Sequence, residues 1–148
     1  MITRMLGAAA SLQFLVAAFF VSPPLQMAQE KGRDRAPLSS FVGTWKGVCA
    51  DGKEFVVVTL NQNGADISGT VSLGNMQGED GQCATVVNPP SPQHAMKISD
   101  AQLRGTLLAF KGSQRAEFEM TIVDTESARL KFLRTPVEEK PWELKKAK

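Results

Sequence analysis

The feature that most constrains the fold of this chain is an alternation of apolar and polar side chains, with a period of two, that begins after residue 40. In residues 115–122, for example, Phe118, Met120 and Ile122 share one face, while charged or hydroxyl side chains occupy the other. Because successive side chains of a β-strand point to opposite faces, this pattern predicts strands with one buried and one solvated face. No helical period of useful length occurs in this region, so the alternation predicts an all-β domain.

Turn signals separate the alternating runs and predict how the strands are connected. Asn63-Gly64 and Asp51-Gly52 are strong hairpin signals, because these residue types tolerate a positive φ, and Gly105 marks a further turn. Short strands joined by tight turns are typical of an antiparallel up-and-down meander that closes as a barrel or sandwich. The runs predict about eight strands, at 42–48, 54–61, 65–73, 96–103, 106–111, 115–123, 128–134 and 141–145.

The connection from Gly74 to Met96 differs from the others, because it is long, rich in glycine and proline, and without a period. Loops of this length are uncommon in compact domains and are often functional. Two interpretations stay open: a functional loop, or a tolerated surface insertion that Cys83 fastens to the domain. Residues 84–87 are also compatible with a short edge strand.

The first 28 residues have the layout of a signal peptide. Arg4 precedes an uncharged apolar run over residues 5–21, two prolines end that run, and Ala28 offers a small residue for cleavage. The alternative is an uncleaved amino-terminal anchor, since the run is nearly long enough to span a bilayer. In both cases the folded part is predicted to be secreted or periplasmic.

The remainder of the chain divides into a spacer and one domain. Residues 29–37 are polar, carry charges of both signs and lack periodicity, which predicts a flexible spacer. Residues 38–148 are predicted to form a single β-barrel domain, which is long enough for a modest core.

The charge pattern does not identify a partner. The chain has 17 basic and 15 acidic residues, and the two signs are mixed along every segment. This balance indicates no nucleic-acid partner and no membrane contact beyond the signal segment. The basic tail at residues 143–148 is interpreted as solvated.

Gly43-Thr44-Trp45, at the start of the first predicted strand, resembles the Gly-x-Trp opening of the calycin barrels, which include the lipocalins and avidin-like proteins. The resemblance implies a small calycin-like barrel, closed at one end by the tryptophan, which packs against an arginine from a late strand. Arg134, on the inward face of the penultimate predicted strand, is the residue that would take this role. Its contact with Trp45 would be a cation–π interaction.

The chain also resembles small exported bacterial β-domains in the order of five motifs, GTWKG, DG, VTLNQNGADISGTVS, AQLRGTLLAFK and PWELKK. This resemblance covers nearly the whole chain after the spacer and concerns the fold. More distantly, the sequence is similar to the periplasmic metalloprotease inhibitors, which are exported, avidin-like, begin with Gly-x-Trp and carry one disulfide.

The inward-facing positions predict how full the barrel is. Their bulk is enough to fill a short eight-stranded barrel at ordinary protein density, and a small apolar cavity is the alternative. Inward polar groups that would orient a ligand are nearly absent, with Arg134 as the exception. The predicted inward residues are Phe41, Trp45, Val56, Val58, Leu60, Ile67, Val71, Leu73, Ile98, Leu103, Leu108, Phe110, Phe118, Met120, Ile122, Leu130, Phe132, Trp142 and Leu144.

No catalytic or metal-binding pattern is recognisable in the sequence. His94, the single histidine, lies in the proline-rich part of the long loop, without a neighbouring acid to orient it as a catalytic triad requires. A zinc site needs several converging ligands, and the adjacent carboxylates Glu79 and Asp80 lack the alternating ligands of a calcium loop. The sequence therefore predicts no enzyme, no cofactor and no metal.

Cys49 and Cys83 are the two cysteines of the chain. In an exported domain with no cysteine left over, they are predicted to form a disulfide. Cys49 ends the first predicted strand and Cys83 lies in the long loop, so the bond would fasten that loop to the barrel. The alternative is two free thiols, one of them buried.

These features together predict an exported β-barrel binding module whose ligand-binding residues are not identified. It would engage a small apolar molecule at the open end of the barrel, or an exported macromolecule through its loops. One alternative is a protein–protein module, similar to a protease inhibitor, that acts through residues 74–96 or through the spacer before Phe41. The other alternative is a structural accessory domain.

Overall fold

Eleven β-strands follow one another along the residues that the structure, a computed structural model, describes: 35–79, 82–112, 116–133 and 140–148. All of these residues belong to one compact unit, residues 31–148. The signal peptide predicted at 1–28 and residues 29–34 of the predicted spacer lie outside the described residues. The strands are β1 (Gly43–Val48), β2 (Glu54–Asn63), β3 (Asp66–Leu73), β4 (Asn75–Gln77), β5 (Thr85–Asn88), β6 (Met96–Lys97), β7 (Ser99–Arg104), β8 (Leu107–Lys111), β9 (Glu117–Ile122), β10 (Ser127–Leu133) and β11 (Trp142–Lys146).

Nine of these strands form one antiparallel sheet, in the order β6-β3-β2-β1-β11-β10-β9-β8-β7. The last strand, β11, returns to pair with the first, β1, as in an up-and-down meander. The two ends of the sheet meet along one chain segment, because β6 pairs with β3, and β7, one residue further on, pairs with β8. Between them, the amide of Ile98 donates a hydrogen bond to the carbonyl oxygen of Gly69. The sheet is therefore a nearly closed antiparallel barrel, and the predicted all-β fold class is confirmed.

All eight predicted strands are present, with ends within two residues of the predicted ones. The strand predicted at 96–103 is divided at Ile98 into β6 and β7, and the register of β7 shifts between Ser99 and Gln102. Within this bulge Asp100 adopts a φ of +52°, the one positive φ of a non-glycine residue in the described part of the chain. A bulge bends a strand and increases its twist. This one segment can therefore pair with β3 at one end of the sheet and with β8 at the other.

The connection over residues 74–96 contains structure that its sequence pattern does not reveal. β4 and β5 pair as a separate antiparallel hairpin, and a 3₁₀ turn follows at Pro92–His94. The edge strand predicted at residues 84–87 corresponds to β5, whereas β4 is absent from the prediction. Each of these strands has only three or four residues, which is too few to show a period of two between glycines and prolines.

One apolar cluster fills the barrel, and the residues in the list of predicted inward positions either belong to it or pack against it. Trp45, Met120, Leu130 and Leu144 are among its completely buried members. Four further buried members, absent from the prediction, occur among the described residues: Cys49, Phe55, Val86 and Ala128.

Phe55 is buried because a β-bulge turns its side chain toward the core. Gly47 pairs with Val56, but the next residue of β1, Val48, pairs with Glu54, so Phe55 is the extra residue of the bulge. Bulges commonly redirect a side chain in this way. A Cβ atom on Gly47 would lie 2.5 Å from Val56 Cγ1 and 2.9 Å from Phe55 Cε1. Gly47 therefore leaves the space that the redirected aromatic ring occupies.

Five aromatic rings form a continuous row across the inner wall. Phe110 and Phe118 are stacked with their ring centroids 5.4 Å apart, and Phe118 and Phe132 are stacked at 4.9 Å. The row continues from Phe132 to Trp142 at 6.1 Å and from Trp142 to Phe55, edge to face, at 5.3 Å. Aromatic pairs at these separations stabilise a core beyond the area that they bury. The row fills the end of the barrel opposite to Trp45, where the sequence alone predicts an opening.

Candidate functional site

Trp45 lies at one end of the barrel, together with Phe41, two residues before β1, and Lys146, the last residue of β11. Its side chain is completely buried, and its Nε1 donates a hydrogen bond to the carbonyl oxygen of Phe41 at 2.8 Å. The Nζ atom of Lys146 lies 5.1 Å from the centroid of the indole ring, within cation–π distance. Phe41 follows directly on the 3₁₀ turn Leu38–Ser40.

Gly43 is required at this end for two reasons. Its φ is +125°, a conformation that side-chain-bearing residues rarely adopt, and a Cβ atom there would lie 2.8 Å from Lys146 Cε. The Gly-x-Trp motif thus places a glycine beneath the lysine stem and a tryptophan beneath its ammonium group.

Arg134, the predicted partner of Trp45, lies outside the described residues. Within them, the cation over the indole ring is Lys146, which sequence reasoning assigns to a solvated tail. Lys146 is half-buried and continues the inward series Trp142, Leu144 and Lys146 of β11. The alternation along β11 is the sequence signal that identifies Lys146 as an inward residue. The interpretation of residues 143–148 as a solvated tail is therefore wrong for this residue.

The predicted disulfide between Cys49 and Cys83 is confirmed, and it is part of a larger attachment. The amide of Ala50 donates to the carbonyl oxygen of Cys83 at 3.0 Å, and the amide of Asp51 donates to that of Ala84 at 3.1 Å. These bonds join the β1–β2 turn to the segment that leads into β5. The β4–β5 hairpin is therefore fastened to the barrel by covalent and hydrogen bonds together.

The carboxylate of Asp51 extends this attachment to β5 itself. Its Oδ2 accepts hydrogen bonds from the amide of Val86 at 3.0 Å and from Thr85 Oγ1 at 2.8 Å, and its Oδ1 accepts from the amide of Lys53. The Val86 amide, followed by the Lys53 amide, holds the pKa of Asp51 below its ordinary value of 3.8. Hydrogen bonds to the ionised form have this effect, because they stabilise the charged carboxylate more than the protonated carboxyl group.

Replacement of Asp51 by asparagine is expected to lower the melting temperature at neutral pH and to accelerate hydrogen exchange at the amide of Val86. Because the pKa of Asp51 is lowered on folding, its contribution is present above pH 3.8 and is lost as the pH falls through the lowered value. The difference in melting temperature between the two proteins should therefore shrink in acid. Asp124, whose pKa is lowered first of all by the amide of Glu126, is a matched control. Asp124→Asn should leave Val86 exchange unchanged, and an equal effect of both variants on Val86 would contradict the assignment.

After β5 the chain crosses the outer wall of the barrel as a proline-rich segment, residues 89–95, called the strap here. Ser72 Oγ, on β3, donates a hydrogen bond to the carbonyl oxygen of Ser91 at 2.8 Å, which holds the strap against the wall. Ser91 Oγ in turn accepts from the amide of Gln93 and caps the turn Pro92–His94. His94 is exposed on this turn.

A cleft of about 420 Å³ lies between the strap and the outer wall of β1, β2 and β3, and it is called the strap cleft. Binding sites for small molecules commonly have volumes of about 300–1,000 Å³. Apolar side chains line it from both sides, Val57 from the wall and two prolines with Ala95 from the strap. The lining residues are Lys46, Glu54, Val57, Thr59, Thr70, Ser72, Pro90, Pro92 and Ala95.

The polar groups of the strap cleft are almost all paired. Lys46 Nζ and Glu54 Oε1 form an ion pair at 2.7 Å, and each side chain is more than one-third exposed. Thr59 Oγ1 lies 3.3 Å from Thr44 Oγ1, and the Ser72 hydroxyl is used by the strap. The Thr70 hydroxyl makes no hydrogen bond to any part of the chain that the structure describes. The cleft thus presents a neutral, mainly apolar surface with one free hydroxyl group.

Two of the other clefts are less suited to a ligand, and none of the four described clefts extends among the completely buried side chains of the core. None is lined by Trp45, Met120, Leu130 or Leu144. The cleft against β7–β9 is lined by five charged side chains, and the cleft beside Cys83 borders residues 80–81, which are not described. Trp45, Met120, Leu130 and Leu144 have no solvent-accessible surface, so the interior around them is filled with side chains, as the first of the two sequence interpretations predicts.

Two further features are absent from the described residues. Three or more His, Cys, Asp or Glu side chains do not converge on a possible metal position anywhere in those ranges. The same ranges contain no helix that combines the length and the apolar character needed to cross a membrane.

The fold defines the class of this protein as a small, nearly closed antiparallel β-barrel with a disulfide-fastened hairpin. No protein-family model, curated protein or solved structure matches the chain.

Proposed function

We propose that this protein is an exported, calycin-like binding module that holds a small molecule in the strap cleft and catalyses no reaction. The observation that carries the proposal is the cleft itself, which has apolar side chains on both walls and a volume suited to a small ligand. The sequence motif Gly-x-Trp, which resembles the opening of the calycin barrels, supports the type of barrel.

The filled core is the reason for placing the ligand outside the barrel rather than at its open end. The aromatic row from Phe110 to Phe55 occupies that end, and the barrel centre contains completely buried side chains. A ligand that entered there would have to displace packed rings. The strap cleft requires no such displacement.

Two observations support export, and a third supports a non-catalytic role. Cys49 and Cys83 form a disulfide, which is typical of oxidising compartments, and residues 1–28 have the layout of a signal peptide. The titratable groups that line the cleft are Lys46 and Glu54, and each neutralises the other at 2.7 Å. Neither is therefore free to act as a general acid or base without first breaking the pair.

Replacement of Val57 by arginine is expected to abolish ligand binding, because a long charged side chain on the outward face of β2 would fill the strap cleft. The experiment is a thermal-shift screen of neutral, anionic and cationic small molecules against the mature domain, since a ligand that binds only the folded state raises its melting temperature. Hits are then measured with Val57→Arg.

Thr121→Arg is the matched control, because Thr121, the penultimate residue of β9, lies on the outer wall and away from the strap. The proposal predicts at least one hit that Val57→Arg loses and Thr121→Arg keeps. A screen without any hit, or hits that Val57→Arg retains at full affinity, would contradict it.

A second candidate function, a protein–protein module acting through residues 74–96, rests on one observation. Met76 and Val87 of the β4–β5 hairpin are exposed, and Val48, next to the disulfide at the same end of the barrel, is half exposed. Exposed apolar residues that cluster can mark a protein contact. Capture of a defined exported partner that Val87→Ser abolishes, together with a negative small-molecule screen, would favour this function over the first.

A further inference from the structure

The strap cleft also indicates the chemical class of its ligand. We infer that the cleft binds an uncharged molecule with an apolar body and one hydrogen-bonding head group, and that this head group is anchored by the hydroxyl of Thr70. The inference rests on the proposed function and adds to it the charge of the ligand and the residue that orients it.

The charge of the ligand follows from the ion pair in the cleft wall. Lys46 and Glu54 are the charged lining residues of the described cleft, and their contact at 2.7 Å cancels both charges locally. An anionic ligand would have to compete with Glu54 for Lys46, and a cationic ligand would compete with Lys46 for Glu54. Each would also lose hydration on entering a surface made of Val57 and proline rings, and this cost is large for a charge without a partner. A neutral ligand avoids both costs.

The position of the head group follows from the hydroxyl groups of the floor. Thr59 and Thr70 are direct partners in the β2–β3 register, so their side chains lie next to each other on the outer wall. The Thr59 hydroxyl is within 3.3 Å of the Thr44 hydroxyl, and the Ser72 hydroxyl binds the strap. Thr70 is therefore the floor residue whose hydroxyl is available, and a hydroxyl group can both donate and accept.

The apolar body of the ligand follows from the opposite wall. Pro90, Pro92 and Ala95 offer no side-chain hydrogen-bonding group, and the two prolines also lack a backbone donor. Val57 faces them from β2. A ligand between these walls gains from burying hydrocarbon, and it meets a free polar partner at the Thr70 side of the floor.

The test uses three probes that share one chain and differ in the head group: 1-octanol, octanoate and octylammonium, each titrated at neutral pH by NMR. We expect 1-octanol to bind the mature domain at least about tenfold more tightly than either ion, which corresponds to about 1.4 kcal/mol. Thr70→Val, which keeps the shape of the side chain and removes the hydroxyl, should weaken 1-octanol binding about two- to tenfold, the usual effect of one hydrogen bond. Thr121→Val is the matched control and should change nothing.

The outcomes separate this inference from the proposed function. Tighter binding of octanoate or octylammonium, or equal 1-octanol affinity in wild type and Thr70→Val, would overturn the ligand class and the anchor. If Val57→Arg still abolishes binding in either of these outcomes, the proposed function remains intact. If none of the three probes binds while the screen gives other hits, the inference fails alone, and if the screen is also empty, both fail.

Discussion

Replacement of Trp45 by alanine is expected to lower the free energy of unfolding by about 3–5 kcal/mol, the usual cost of truncating a large aromatic side chain in a core. Trp45 is completely buried, its indole nitrogen satisfies the carbonyl oxygen of Phe41, and Lys146 lies over its ring. The buried packing, the hydrogen bond and the cation–π contact are lost together in the variant. Since small domains are stable by about 5–15 kcal/mol, urea unfolding should detect a large shift of the midpoint.

Two further variants separate the contributions at this end of the barrel. Trp45→Phe keeps an aromatic ring but leaves the carbonyl oxygen of Phe41 without its donor, which should cost about 1–3 kcal/mol. Trp142→Ala is the matched control, because the same substitution is made at the partly buried tryptophan at the other end of the barrel. A loss at Trp142 that equals or exceeds the loss at Trp45 would contradict the role assigned to Trp45.

Removal of the disulfide is expected to produce the second large effect. Cys49 and Cys83 are separated by 34 residues, and the chain-entropy model gives about 4 kcal/mol for closing a loop of this size. Cys83→Ser should therefore lower the melting temperature strongly. It is the cleaner of the two single variants, because Cys83 is only partly buried and Cys49 is almost fully buried.

The structural change caused by Cys83→Ser should be confined to the hairpin and the strap, although the whole domain becomes less stable. The circular-dichroism spectrum should remain that of a β-protein, since none of the nine barrel strands depends on the bond for its pairing. Hydrogen exchange at the amide of Val86 should accelerate, because the hairpin would then be held by Asp51 and backbone bonds alone. A variant with an unchanged melting temperature would show that the disulfide adds nothing to these bonds. Loss of the β-spectrum would show that the barrel itself depends on it.

The barrel is predictable from the sequence because its strands are long enough to show their period. Each of the eight predicted strands is present, and residues such as Val58, Met120 and Leu130 lie inward as their alternation indicates. Phe55 is different, because it has the parity of an outward residue. Its burial depends on the register shift opposite Gly47 and Val48, and such a shift is a property of two strands together rather than of either sequence alone.

The candidate site is less predictable, because tertiary contacts create it. Val57, Thr59 and Thr70 read as ordinary solvated positions, since the alternation correctly places them on the outer wall. They line a cleft only because the strap crosses that wall, and the strap is held there by one hydrogen bond from Ser72 and by the attachment of the hairpin. The cysteine pair was the part of this arrangement that the sequence could indicate, through the rule that exported cysteines pair.

Lys146 illustrates the same limit at the other end of the barrel. A basic tail is usually solvated, but antiparallel pairing of β11 with β1 sets Lys146 opposite Trp45. The contact needs both the closure of the sheet and the missing side chain at Gly43. Composition alone cannot show either of these.

The proposed ligand lies between the strap and the outer wall of a barrel whose interior is filled. The most direct measurement is a set of intermolecular nuclear Overhauser effects between a hit from the screen and the methyl groups of the mature domain. This position predicts contacts from the ligand to the methyl groups of Val57, Thr70 and Ala95. Contacts to Met120 or Leu130, which are completely buried in the core, would place the ligand inside the barrel and contradict the proposed position.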